Sequence, residues 1–354
     1  MTIYDISEKA GVSIATVSRV LNGSRNVSDK TRERVLAVME HYGYTPNAFA
    51  RGLGLNTMKT MGIMCADSSD PYLAKAVYHI EQKLRSSGYD SLLCCTGYEP
   101  ASKAASMNLL LTKKVDGVIL AGSNFVHENQ AENKYIAEAA ARIPVMLLNA
   151  DLEIPNVYSV LSDDFASMYE ATREMLCSGI KDILFFYNTG SYSGKRKMAG
   201  YLAAVEKDEN CRAMTWLYQG SNEDVPAMVK DLKKLRREGT VFHGVMAADD
   251  VLAAAAVKYA REMNYRIPED FSVVGYNNST LTVCCEPELT SIDNKLEILC
   301  QHLVTTLLGV LEGREMPPKT VFSGELIRRG TTRQPPYTPP HHEAEKSGAP
   351  NCYD

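Results

Sequence analysis

Apolar positions in the first 45 residues recur at helical spacing. Ile3, Ile6 and Ala10 share one face of a predicted helix that opens at Thr2 and stops at Gly11. Thr2 with Asp5 three residues later forms a capping box, and Gly11 accepts the backbone angles of a tight turn. Ser13 caps a second predicted helix over 14–22, with Val17, Val20 and Leu21 turned inward. Ser28 caps a third, running from Asp29 to about Tyr42, where Val35, Leu36, Val38 and Met39 are expected to close a small core. From residue 60 the pattern changes. Short apolar runs at 61–66, 89–95, 115–121, 143–149, 182–187, 244–248 and 271–277 alternate with helical segments, and VFSGELI (321–327) reads as a last strand. This alternation predicts parallel sheets covered by helices. The number of strands favours two lobes over one. The expected fold is an all-α helix-turn-helix head followed by an α/β two-lobed body with parallel sheets.

Two short helices joined by a Gly-containing turn are the helix-turn-helix pattern, whose second helix meets base edges in the major groove. Its outward residues here are Ile14, Ala15, Thr16, Ser18 and Arg19. Arg19 can donate two parallel hydrogen bonds to guanine O6 and N7, and Ile14 and Ala15 offer apolar contact to a thymine methyl. Ser13, Thr16 and Ser18 suit phosphate oxygens. A three-helix docking domain would share the same periodicity.

Specific runs go further than periodicity. AGVS (10–13), ATVSRVLNG (15–23), VSDKTRERV (27–35) and GYTPNAFAR (43–51) followed by Leu53 resemble the head of the LacI/GalR family of bacterial regulators. The resemblance implies a DNA-binding set of Thr2, Ser13, Ile14, Ala15, Thr16, Ser18, Arg19, Asn22, Asn26, Asn47, Arg51 and Leu53. It also implies a hinge helix within PNAFARGL, with Leu53 as an apolar wedge between base pairs. Gly52 and Gly54 flank that wedge, and each weakens a helix by about 1 kcal/mol relative to Ala, so the hinge is expected to order only on DNA.

Ligands of open α/β sheets bind beyond the C-terminal ends of the strands. Asp67, Asp70 and Tyr72 in the first lobe, and Asp249, Asp250, Asn277 and Asn278 in the second, follow predicted strands. Each Asp also suits a helix cap. Tyr72, Tyr192 and Tyr276 offer aromatic faces. The body more weakly resembles the periplasmic-binding-protein-like sensor of the same family. Asp70-Pro71-Tyr72, the run 114–119, Lys197-x-x-Gly200-Tyr201, Ala248-Asp249-Asp250, the run 274–278, 288–292 and 325–329 match or modify its landmarks. The resemblance places Lys197 where the family carries an effector-binding arginine. Lysine lacks the planar fork that pairs two oxygens at once. The expected effector set is Asp70, Tyr72, Tyr192, Lys197, Asp249 and Asn277.

Composition sharpens this picture. The chain carries a net charge of −5, but residues 1–59 hold eight Lys/Arg against five Asp/Glu, so a basic head precedes an acidic body. The nine cysteines include no C-x-x-C, so no metal and no cofactor are expected. No leader-like or membrane-spanning run is present, which points to a cytoplasmic chain with no membrane partner. No nucleophile elbow, zinc-binding helix or P-loop motif suggests an enzyme.

The expected domains are 1–46 for the helix-turn-helix, 47–59 for hinge helix and linker, and 60–333 for effector binding and dimerisation. Lobe 1 is expected over about 60–158 plus 290–318, and lobe 2 over about 159–289 plus 319–333. The Pro-rich tail 334–354 should be disordered. The resulting expectation is a ligand-responsive, sequence-specific regulator, a repressor of carbohydrate-related genes. It would bind a near-palindromic double-stranded DNA operator as a homodimer, gated by a small polar effector, a sugar or its derivative. The alternative is a cytosolic solute-binding module with an inert head.

Overall fold

The computed structural model describes residues 1–21, 24, 26–44 and 57–333. The head holds α1 (Ile3–Ala10), α2 (Ile14–Leu21) and α3 (Asp29–His41). The capping box at its start is complete. Thr2 N donates to Asp5 Oδ2 at 2.7 Å, and Asp5 N donates to Thr2 Oγ1 at 3.4 Å. Gly11 stops α1 in the left-handed region, at φ 62°. Ser28 Oγ accepts from Thr31 N to start α3. Ile6, Ala10, Val17, Val20, Val35 and Met39 form the head's core. Leu36 does not join it: 47% of its surface is exposed. The inner face of α3 runs through Val35 and Met39, and Leu36 sits about 100° round the helix from Val35.

The body continues through β1 (Thr60–Cys65), α4 (Pro71–Ser86), β2 (Asp90–Cys95), α5 (Pro100–Thr112), β3 (Gly117–Ala121), α6 (Lys134–Ala140), β4 (Val145–Leu148) and β5 (Val157–Ser162). Next come α7 (Asp164–Cys177), β6 (Ile183–Tyr187), α8 (Tyr192–Glu206), β7 (Met214–Leu217), α9 (Val225–Arg237), β8 (Gly244–Ala247) and α10 (Asp250–Glu262). The last elements are β9 (Ser272–Tyr276), α11 (Leu281–Cys284), β10 (Thr290–Asp293), α12 (Leu296–Leu311), β11 (Lys319–Phe322) and β12 (Glu325–Ile327).

The strands form two sheets of six, in spatial order β11-β5-β4-β3-β1-β2 and β12-β10-β9-β8-β6-β7. Every pairing is parallel except β10 with β12. Central strands such as β3, β4 and β8 are apolar and buried throughout, as both faces of a parallel sheet require. In lobe 2 the rings of Phe242, Tyr259 and Phe271 pack with centroids 5.4–5.8 Å apart. Each such ring contributes roughly 1.5–3 kcal/mol by burial.

The chain passes between the lobes three times, and the lobe limits read from the sequence are corrected accordingly. Residues 159–162 stay in the first sheet as part of β5, and 290–293 belong to the second as β10. VFSGELI splits, with β11 in the first sheet and β12 in the second. Hydrophobic patterning identifies a strand but not the sheet that accepts it. The crossings lie side by side: Asp163 N donates to Phe322 O at 2.8 Å, and Lys295 pairs with Glu325. At Gly324 an added Cβ would come within 2.5 Å of Ser167 Oγ, so the third crossing packs tightly against α7.

Candidate nucleic-acid interface and ligand cleft

The face of α2 opposite its core is open. Val17 and Val20 are buried, whereas Ser13, Ile14, Ala15 and Arg19 are exposed, and Thr16 and Ser18 are half-buried. Ser13 Oγ accepts from Thr16 N at 3.2 Å and bonds Thr16 Oγ1 at 2.9 Å, so these hydroxyls begin the helix that projects Arg19. Thr2 is held in its capping box. Asn26 is exposed, with its backbone N–H on Ser24 Oγ at 3.3 Å. Asn22, Asn47, Arg51 and Leu53, the hinge segment and the tail lie outside the described residues.

A second polar cluster forms where the strand ends of the two lobes meet. Asp70 caps α4, its Oδ1 accepting from Leu73 N at 2.9 Å. Two residues on, the Tyr72 hydroxyl accepts from the side-chain amides of Asn149, which follows β4, and Asn294, at 3.3 Å, which follows β10. Asn294 Nδ2 also donates to Asn277 Oδ1 at 3.1 Å. A hydrogen-bonded chain therefore joins Tyr72 of lobe 1 to Asn277 of lobe 2 through a crossing residue. Asn149, Asn277 and Asn278 have φ of 55°, 95° and 46°. Asn enters this left-handed region more readily than most residues.

In lobe 2, Lys197 on α8 is buried. Its Nζ donates to Ala248 O at 2.9 Å and sits 3.7 Å from the centre of the Tyr276 ring. The Tyr276 hydroxyl donates to Asp164 Oδ1 at 2.5 Å. Asp249 Oδ1 caps α10 through Leu252 N at 2.8 Å, and its Oδ2 accepts from Asn188 Nδ2 at 3.1 Å. The cap and site readings of Asp249 are thus compatible, one oxygen serving each. Asp250 works underneath, accepting from Ser279 N and Ser291 Oγ, each at 2.6 Å. Burial pushes the Asp164 and Asp249 carboxyls up and the Lys197 ammonium down, because each loses water around its charged form. The neighbouring carboxylates of Asp164, Asp249, Asp250 and Asp70 oppose the shift on Lys197.

Tyr192 lies at the edge of this cluster, close enough for Asp164 to act on its hydroxyl. It begins α8, its backbone N–H donates to Ser123 O at 3.2 Å, and its side chain packs on lobe 1. Ser123 Oγ to Ser191 Oγ at 3.0 Å and Lys195 with Glu128 at 2.6 Å close the same seam. Asp67 is engaged locally with Ser69, and Asn278 accepts from Arg329 at 2.8 Å. The sequence reading missed Asn149, Asp164, Asn188 and Asn294. Each stands within two residues of a strand's C-terminal end, so the rule that selected Asp70 and Asn277 would have found them. A groove of about 400 Å³ between α10 and the residues that follow α11, lined by Val257, Arg261 and Cys285 among others, contains none of these cleft residues. Among the described residues, no group of His, Cys, Asp or Glu is arranged to hold a metal ion, and no helix is long and apolar enough to cross a membrane.

An exposed recognition-type helix ahead of two facing α/β lobes defines a DNA-binding regulator of transcription with a sensor-type body. Residues 2–47 match the profile of bacterial regulatory proteins of the lacI family, and residues 172–332 match a periplasmic binding protein-like domain. An HTH-type transcriptional regulator of Lachnoclostridium phytofermentans is 50% identical over 94% of this chain and 99% of its own length. The fold is similar to that of the lac repressor dimer bound to operator and the anti-inducer ONPF. That match has a TM-score of 0.83 at 24% identity, covering 94% of this chain and 99% of that one. It is also similar to the transcriptional regulator CelR in its cellobiose complex, with a TM-score of 0.66, 24% identity and the same coverage. The chain belongs to the lacI family of bacterial transcriptional regulators.

Proposed function

We propose that this protein is a cytoplasmic repressor of carbohydrate-related genes, binding a near-palindromic operator as a homodimer and releasing or engaging it according to a small polar effector. The observation that carries the gating is the Tyr72–Asn294–Asn277 chain. A ligand entering there meets side chains from both lobes and from a segment that joins them, so its binding energy differs between open and closed arrangements. That difference is what shifts a two-state equilibrium.

Arg19, Ile14 and Ala15 read bases in this scheme, while Ser13, Thr16 and the start of α2 meet phosphate. The dimer is supported by Leu92 and Leu93 on edge strand β2, Tyr78 on α4 and Leu109 on α5, all exposed around one edge of the first sheet. Apolar side chains gathered this way favour a protein partner over water. The sugar class is supported by a cleft lined with amide, hydroxyl and carboxylate groups, and by the cellobiose held by the similar CelR.

The test is selection of bound sequences from random duplex DNA by the full-length protein at one stated salt concentration. A recovered palindrome whose preference relaxes at one base per half-site in Arg19→Ala supports the reading. No enrichment over non-specific binding would leave a solute-binding module with an inert head.

A further inference from the structure

Charge inside the cleft is lopsided. The carboxylates of Asp70, Asp164, Asp249 and Asp250 all act on the Lys197 ammonium, which is buried among them. That ammonium is already occupied, on Ala248 O and over the Tyr276 ring. The neighbouring cation, Arg196, is exposed, lies 3.6 Å from Asp163 and sits over the Phe165 ring at 5.5 Å. An incoming anion therefore meets two buried carboxyls, Asp164 and Asp250, two half-buried ones, Asp70 and Asp249, and an ammonium already engaged, in surroundings where charges are poorly screened.

The hydrogen-bonding sites point the same way. Asn294 is 2% exposed. Both of its polar contacts, to Tyr72 and to Asn277, run through Nδ2, and its Oδ1 is buried without a partner. A buried acceptor left open is costly unless a donor reaches it. Asp70, whose Oδ1 takes the cap of α4, stands two residues from the tyrosine that this amide touches. The cluster therefore holds one open acceptor, Asn294 Oδ1, beside a Tyr72 hydroxyl that takes two amide hydrogens.

We propose that the cleft selects a polyhydroxylated ligand that is neutral or amine-bearing, and discriminates against phosphorylated or carboxylated forms of the same compound. This rests on the reading of the cleft as a carbohydrate sensor and narrows it: hydroxyl or ammonium hydrogens fill the Asn294 acceptor, and the carboxylates tolerate or favour positive charge.

The experiment is calorimetric titration of the full-length protein with matched probes. These are neutral mono- and disaccharides (glucose, galactose, ribose and cellobiose), the 2-amino-2-deoxy hexoses, and the 6-phosphates and uronates of the same hexoses. A neutral or amino sugar is expected to bind, with its phosphate or uronate at least tenfold weaker and its amino form no weaker than the neutral one. In Asp249→Asn, which keeps a side-chain oxygen to cap α10, the handicap of the anionic form should shrink several-fold. A phosphate or uronate that binds as well as its neutral parent overturns the charge rule and leaves the sensor standing. An unchanged handicap in Asp249→Asn also overturns it, because carboxylate repulsion would not be the cause. If no compound of any class binds, the carbohydrate reading falls and the charge rule falls with it.

Discussion

Replacing Gly200 with alanine should wedge apart the two helices that support Lys197. A Cβ built at Gly200 would lie 2.3 Å from the Phe165 carbonyl oxygen and 3.0 Å from Tyr169 N, both backbone atoms of α7. Real Cβ contacts essentially never fall below 3.0 Å, so α7 and α8 must separate by at least 0.7 Å at this point. Neither obstacle is a side chain that can rotate away. Met168, Ala171, Tyr201 and Val205 pack in the same core and lose close contact as the helices part. Overpacking usually costs about 1–3 kcal/mol, and a backbone obstacle places this substitution in the upper part of that range. Trp216 is the single tryptophan and sits on β7 of the same lobe, with Nε1 on Asp231 Oδ2 at 2.6 Å. Its fluorescence therefore reports lobe 2 during urea unfolding. With a slope of about 2 kcal/mol per molar urea, the midpoint should fall by roughly 1 M. A shift below about 0.2 M would refute the close approach at Gly200.

Other consequences follow from particular groups. Arg19→Ala should weaken binding to the selected operator by about 1–3 kcal/mol in an equilibrium titration while sparing random DNA; equal loss on both would reassign Arg19 to phosphate. Tyr276→Phe leaves buried Asp164 without its 2.5 Å donor and should cost about 1–3 kcal/mol in urea melts, with no change counting against the bond. Burial raises the Asp250 carboxyl from 3.8 to about 6, so the folded state binds the extra proton between those values. The stability linked to Asp250 is full below pH 3.8 and is lost as pH rises through 6, a slope that Asp250→Asn should flatten in melts taken from pH 4 to 7. His127 shows the opposite sign. Burial first, then Lys103 at 3.2 Å, hold it below its usual 6.5, so its contribution is present above pH 6.5 and declines as pH falls through the lowered value. Loss of that acid sensitivity in His127→Gln is the expected result; a curve identical to the parent's would exclude the pair.

The head was legible almost residue by residue because its signals are local. Thr2, Gly11, Ser13 and Ser28 act within three or four residues of themselves, and the structure places each as a cap or stop. Leu36 was misjudged because a hydrophobic residue beside a helix's inner face looks the same in sequence as one on it. In the body, alternation revealed two lobes but not their limits: β5 and β11 pair with each other although over 150 residues separate them. β7 went unread because, at a sheet edge, it half-buries only alternate positions and shows no continuous apolar run. Within the cleft, Asp70, Tyr72, Lys197, Asp249 and Asn277 converge, whereas Tyr192 belongs to the seam beside them. The convergence of Asn294 was invisible locally, since its partners lie 222 and 17 residues away.

The triple crossing also bears on how the chain is made. Lobe 1 needs α12 for its core and β11 for the edge of its sheet, so it stays incomplete until residue 322 has been synthesised. By then all of lobe 2 except β12 has been synthesised, and lobe 2 itself waits for β12. The 133 residues between β5 and α12 take on the order of ten seconds to translate. Throughout that interval the edge of β5 and the apolar bed that α12 will cover remain open to the cell. Expression of this regulator should therefore depend on chaperones that shield a nascent sheet, more than it would for a protein whose two lobes were sequential segments.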